Sequence, residues 1–224
     1  MTGRVLVATA FSLAACGPIH TTVRPTVSHL TTVQRVAVVV IEDGAFQVVK
    51  ERAKATATGA VLFGVVGAAV ASASNHGMDR DEADKIRPRL GDFSPTAPLR
   101  DSFVEALKSS GRLEVDVVDS ERAREGRSHD AVIRLTINDW GIRLPSRAIS
   151  DQLAAFAEIQ ARMTRGSSQE LLWDEHEVSL GNGRHDLAAY RQDGALLRSE
   201  LTDMLQSAGF RLANLLIYPR EKTQ

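Results

Sequence analysis

The period of the apolar positions changes several times along the chain, and each change marks an element. Residues 35–41 (RVAVVVI) form an unbroken β-branched run, the length and composition of a strand buried on both faces and central in a sheet. From Leu99 the spacing turns helical, with Leu99, Phe103, Val104 and Leu107 on one face and Gly111 as the stop. Leu113, Val115 and Val117 then alternate as a strand. Residues 130–140 predict another, with Ala131, Ile133, Leu135 and Ile137 on one side and Arg134, Thr136 and Asn138 on the other. Residues 153–165 and 171–180 predict an antiparallel hairpin joined through Gly166-Ser167-Ser168-Gln169 and closed by Gly181-Asn182-Gly183. Last comes a helix over residues 196–217, whose Leu197, Leu201, Met204, Leu205, Ala208, Leu212, Leu215 and Leu216 make one apolar stripe that closes the core across the sheet. This order predicts an α+β fold, a mixed and mostly antiparallel sheet with helices packed on one face.

One stretch departs from these periods. After a charged opening at Lys50, Glu51, Arg52 and Lys54, residues 55–78 contain no Asp, Glu, Lys or Arg. Ala, Gly, Val, Ser and Thr dominate, so insertion into a bilayer is marginal by comparison with a Leu-rich span. Thr56, Ala60, Gly64, Ala68 and Ser72 recur every fourth residue, which on a helix makes a stripe of small side chains that another backbone can approach closely. The expectation is an Ala/Gly-rich helical insertion that associates with a partner, with a second copy or with lipid; the plainer alternative is a helix packed on its own domain. Residues 75–98 read as a polar, turn-rich crossing, with Asp79-Arg80-Asp81-Glu82 as a solvated surface lacking the loop pattern of a calcium site.

The amino terminus carries a different signal. Arg4 precedes an apolar run at residues 5–10, too short to span a bilayer, and small residues lead to Cys16, the sole cysteine of the 224 residues. Leu13-Ala14-Ala15-Cys16-Gly17 resembles the lipobox of bacterial lipoproteins, which implies cleavage before Cys16, a diacylglyceryl group on its thiol and a membrane anchor. In enteric lipoproteins an Asp after that cysteine retains the protein at the inner membrane; Gly17 therefore implies the periplasmic face of the outer membrane. The expected layout is a signal peptide at 1–15, a Thr- and Pro-containing lipidated tether at 16–33, a single domain at 34–218 holding the insertion at 55–78, and a tail at 219–224. Cleavage removes Arg4 and leaves 26 basic against 28 acidic residues, a formal charge of −2. So even a balance gives no support to nucleic-acid binding.

The segments LRDSFVEALKSSGRLEVDVVD, DAVIRLTINDWGIRL and ELLWDEHEVSL resemble the domain shared by the TolB amino-terminal domain, the curli secretion lipoprotein and envelope auxiliary lipoproteins associated with transporters. The resemblance implies a helix ending in Gly that feeds a strand, and no functional residue is carried over. The curli protein's membrane insertions are β-hairpins, whereas residues 55–78 favour a helix.

Catalytic patterns are poor. His20, His29, His76, His129, His176 and His185 form no HExxH, and Asp174-Glu175-His176-Glu177 would alternate across a strand instead of gathering at a metal. Ser179 with His185-Asp186 offers the residue types of a hydrolase but no GxSxG elbow. Gly59, Gly64 and Gly67 have no following Lys to hold a phosphate. The expectation is a non-enzymatic envelope lipoprotein without cofactor or metal, acting as an assembly, adaptor or transport-auxiliary component. The alternative is a periplasmic hydrolase or small-ligand-binding lipoprotein.

Overall fold

The computed structural model describes residues 32–50, 79–119, 129–145 and 151–219. Cys16, the tether up to residue 31 and the insertion stripe Thr56, Ala60, Gly64, Ala68 and Ser72 lie outside the described residues.

The strands are β1 (Arg35–Glu42), β2 (Phe46–Val49), β3 (Glu114–Val117), β4 (Ala131–Arg143), β5 (Ala154–Arg165) and β6 (Leu171–Leu180). The helices are α1 (Arg80–Ile86), α2 (Thr96–Ser109), α3 (Leu187–Gln192) and α4 (Gly194–Ile217), with a 3-10 turn at Arg87–Leu90. The fold is α+β, with a mixed six-stranded open sheet in the order β3-β1-β4-β5-β6 and β2 paired to β4. Pairs β1·β3, β1·β4 and β2·β4 are parallel; β4·β5 and β5·β6 are antiparallel, and each antiparallel ladder is longer than any parallel one.

The β-branched run of β1 lies between β3 and β4 and is covered on both sides, as its composition predicts. Val36 and Val38 join the main core; Ala37 and Val39 form a smaller cluster with Val132 on the opposite face. Ile133, Leu135 and Ile137 are fully buried beneath the helical layer, while Arg134 is exposed. In α2, Leu99, Phe103, Val104 and Leu107 face inward, and Gly111 follows the helix with φ +64°, a left-handed turn that glycine adopts without strain. In α4 the stripe from Leu197 to Leu216 is buried apart from Leu215, which is half-buried. Both long helices pack on each other and on the sheet.

Two local features go beyond the sequence reading, and one expectation needs correction. Val117 is 50% exposed, at the last position of β3, an edge strand only four residues long. Residues 46–49 form β2, which continues the line of β1 along the far half of β4. Between the two, Asp43 and Gly44 both donate to the Ile137 carbonyl, and the β4·β5 register slips between Ile137 and Asp139. The polar stretch after residue 78 is not a plain crossing, since Asp79 caps α1 by accepting from the Glu82 amide.

The direction of β1 and β2 sets the polarity of the domain. At one end, both the Gln34 and Arg35 amides donate to Asp130 Oδ2 at 2.8 Å, and Arg112 donates to the Ile217 carbonyl at 2.8 Å. At the other end lie Val49, Lys50 and Asp79. The 13 residues of β4 separate the two ends, about 40 Å at the usual strand rise.

Candidate functional site

The described residues most closely tied to the apolar insertion are those at its root. The chain leaves β2 at Lys50 and is next described at Asp79, and these two residues form an ion pair at 2.7 Å. The Asp79 amide also donates to the Val48 carbonyl at 2.8 Å, so residues 51–78 depart and return at one point. Asp79 thus closes the root and caps α1, and the hydrogen bond from Lys50 leads the effects that hold its carboxyl below the usual carboxylate value.

Glu82, one turn into α1, is buried, which corrects the expectation that residues 79–82 are a solvated surface. Its carboxylate accepts from Arg191 Nε at 2.7 Å and from Lys85 Nζ at 3.2 Å. Arg191 belongs to α3, so this pair fastens the return of the insertion to the amino-terminal side of α4. Its hydrogen bond is the largest cause of the lowered Glu82 pKa.

On the departing side, Gln47 of β2 donates from Nε2 to Asp139 of β4. Asp139 stands directly across from Glu158 of β5, whose carboxylate takes an Arg143 guanidinium at 3.2 Å. Partial burial, reinforced by the facing Glu158 charge, raises the Asp139 carboxyl to about 6. Gly141 allows β2 to approach, because a side chain there would run into the Gln47 backbone, and its φ of +145° suits glycine alone. Near the same end, the Tyr190 hydroxyl donates to Glu200 Oε2 at 2.6 Å, and His185 Nε2 meets Glu200 Oε1 at 2.7 Å. Burial and the Glu200 charge push the Tyr190 phenol above its ordinary value.

The hydrolase elements are not brought together. Ser179 is buried and accepts from Arg211 at 2.7 Å while donating to Glu177 at 3.0 Å, whereas His185 is engaged with Glu200. Asp174 and His176 point to one face of β6 and Glu175 and Glu177 to the other. Among the described residues, no group of three His, Cys, Asp or Glu could hold a metal ion. No helix among them is long and apolar enough to cross a membrane.

The sequence pointed to the insertion but not to its root. Lys50 was visible only as part of a charged opening, and nothing local announces that Glu82 pairs with Arg191, 109 residues away.

No family model and no curated protein matches the chain. Among solved structures it is similar to protein XCC0632 from Xanthomonas campestris, of the DUF330 family model, at 14% identity over 87% of this chain and 90% of that one, with a TM-score of 0.47. It is also similar to the PelC dodecamer from Paraburkholderia phytofirmans, at 11% identity over 85% and 91% of the two chains and a TM-score of 0.40. A third, lipoprotein GNA1162 from Neisseria meningitidis, is 13% identical over 81% and 99%, with a TM-score of 0.27. At these identities and scores none of the three passes a function to this chain.

Proposed function

We propose that the chain is a non-enzymatic envelope lipoprotein, held by a lipid on Cys16 at the periplasmic face of the outer membrane, that serves as an assembly, adaptor or transport-auxiliary component. It docks on a protein partner or a second copy through residues 55–78. The observation that carries this reading is the clasp at Lys50 and Asp79, which closes the described fold across the start and end of residues 51–78, at the end of the sheet opposite Gln34 and Arg35. An uncharged stretch of that length calls for cover by protein or lipid, since soluble surfaces seldom leave large apolar areas bare. Ser179 is engaged by Arg211 and Glu177 and His185 by Glu200, which supports this reading over a Ser–His hydrolase.

The test has two arms. Labelled palmitate should enter the protein in cells and fail to enter Cys16→Ser; incorporation into the variant overturns the anchor. Crosslinking in membranes should give an adduct with the native chain that disappears in Gly64→Leu, because a Leu on the small-residue stripe keeps a second backbone at a distance. An adduct unchanged by that substitution overturns the docking role of the stripe.

A further inference from the structure

Exposed large apolar side chains on the described residues gather at the edges of the sheet. Val117 is on β3; Leu171, Val178 and Leu180 are on β6; only Phe210 and Tyr218 lie elsewhere. Val178 and Leu180, 44% and 42% exposed, share one face of β6, since residues two apart in a strand point the same way. β6 is ten residues long and, among the described residues, pairs with β5 alone, leaving its outer edge without a strand among them. The Gly181 amide donates to the Ala155 carbonyl, which fixes the phase of the ladder. By alternation Asp174, His176, Val178 and Leu180 turn their backbone N–H and C=O groups away from β5. Edges of this length are commonly blunted by charged side chains, Pro or a bulge; residues 174–180 have no Lys, Pro or bulge, and their carboxylates fall at Asp174, Glu175 and Glu177, which leaves Val178 to Leu180 uncharged. What satisfies such an edge is another strand.

We propose that β6 pairs antiparallel with β6 of a second copy, about a two-fold axis at Ser179. That register sets Val178 against Leu180 of the second copy and Leu180 against its Val178, so two apolar pairs form at positions whose backbone groups already face outward. The acidic run from Asp174 to Glu177 then lies beside the Gly181 to Arg184 segment of the second copy, with Asp174 opposite Arg184. A two-fold at His176 would instead set Glu175 against Glu177, and one at Glu177 would set that carboxylate against itself and Asp174 against Leu180. A two-fold at Val178 makes one apolar pair and sets His176 against Leu180, so charge and apolarity together select the Ser179 register. Every residue that this register pairs lies between Asp174 and Arg184, and none belongs to residues 51–78.

The full chain in detergent tests this by sedimentation. The native protein sediments as a dimer, and Val178→Lys, which places a charge at an exposed position, weakens association at least tenfold at unchanged circular dichroism. Should that variant fail to fold, Val178→Thr with Leu180→Thr takes its place and also weakens the dimer. A short thiol crosslinker joins Val178→Cys to Leu180→Cys when the two proteins are mixed, but not Val178→Cys to Val117→Cys on the other edge. A monomeric native protein, a dimer indifferent to both edge variants, or equal crosslinking to Val117→Cys overturns the proposal. So does a dimer that Gly64→Leu abolishes and Val178→Lys spares, which would locate self-association in the insertion instead.

Discussion

Asp139 is the residue whose surroundings work most plainly against its charge. It is half-buried, faces Glu158 across the β4·β5 ladder, and its carboxyl is raised from 3.8 to about 6. A carboxyl that binds its proton more tightly when folded gives stability that is complete below its unfolded value and is lost as pH rises through about 6. Asp79, Glu82 and Asp130 have lowered values and act oppositely, supporting the fold above the usual carboxylate range and losing that support in acid. Between pH 4.5 and 6, then, all four favour the folded state. Asp139→Asn keeps an acceptor for Gln47 and removes the repulsion, so it should add about 1–3 kcal/mol at pH 7.5 and nothing measurable near pH 4. Urea unfolding at the two pH values checks this, and an equal effect at both would assign the gain to something other than the proton.

At the scale of elements, the contact between α2 and α4 depends on one missing side chain. A Cβ at Gly209 would meet the Leu99 carbonyl oxygen at 2.6 Å and the Phe103 nitrogen at 3.0 Å, both of them helix backbone. Gly209→Ala brings two opposed effects: alanine favours the helix by about 1 kcal/mol, and overpacking two helices costs about 1–3 kcal/mol. Because the obstacle is backbone, the clash should win and the variant should lose up to about 2 kcal/mol in urea unfolding; a gain would show that the helices can part freely. This contact also marks what the chain discloses about itself. The α4 stripe from Leu197 to Leu216 was legible because its period is helical over six turns, and the alternation of Ile133, Leu135 and Ile137 gave the phase of β4. β2 was not legible, since four residues beside a charged run carry too little period to distinguish a strand from a loop. Likewise, Gly209 sits amid the α4 stripe, and only the path of α2, a hundred residues earlier, explains why it is glycine. For the candidate site, Cys16 and the small-residue stripe were named from sequence alone and lie outside the described residues, while its clasp had to be read from the fold.

For the whole molecule, the closed root joins the two described ends of the chain on either side of residues 51–78. β2 ends and α1 begins within hydrogen-bonding distance, because the Asp79 amide donates to the Val48 carbonyl and the ion pair with Lys50 lies across the gap. Among the described residues, the main core is assembled from β1 through β6 and the helices after residue 79. Replacing residues 51–78 by a four-residue Gly-Ser link therefore asks no strand to move. Shortening the connection from 28 residues to four also lowers the entropy cost of bringing its ends together, worth about 1–2 kcal/mol in favour of the folded state. The expected outcome is a domain with the same circular dichroism and a melting temperature unchanged or a few degrees higher, while the Gly64-dependent adducts disappear from membranes and a β6-mediated dimer persists. A domain that unfolds on deletion would mean that residues 51–78 are part of its core, and the docking role assigned to them would fall with that result.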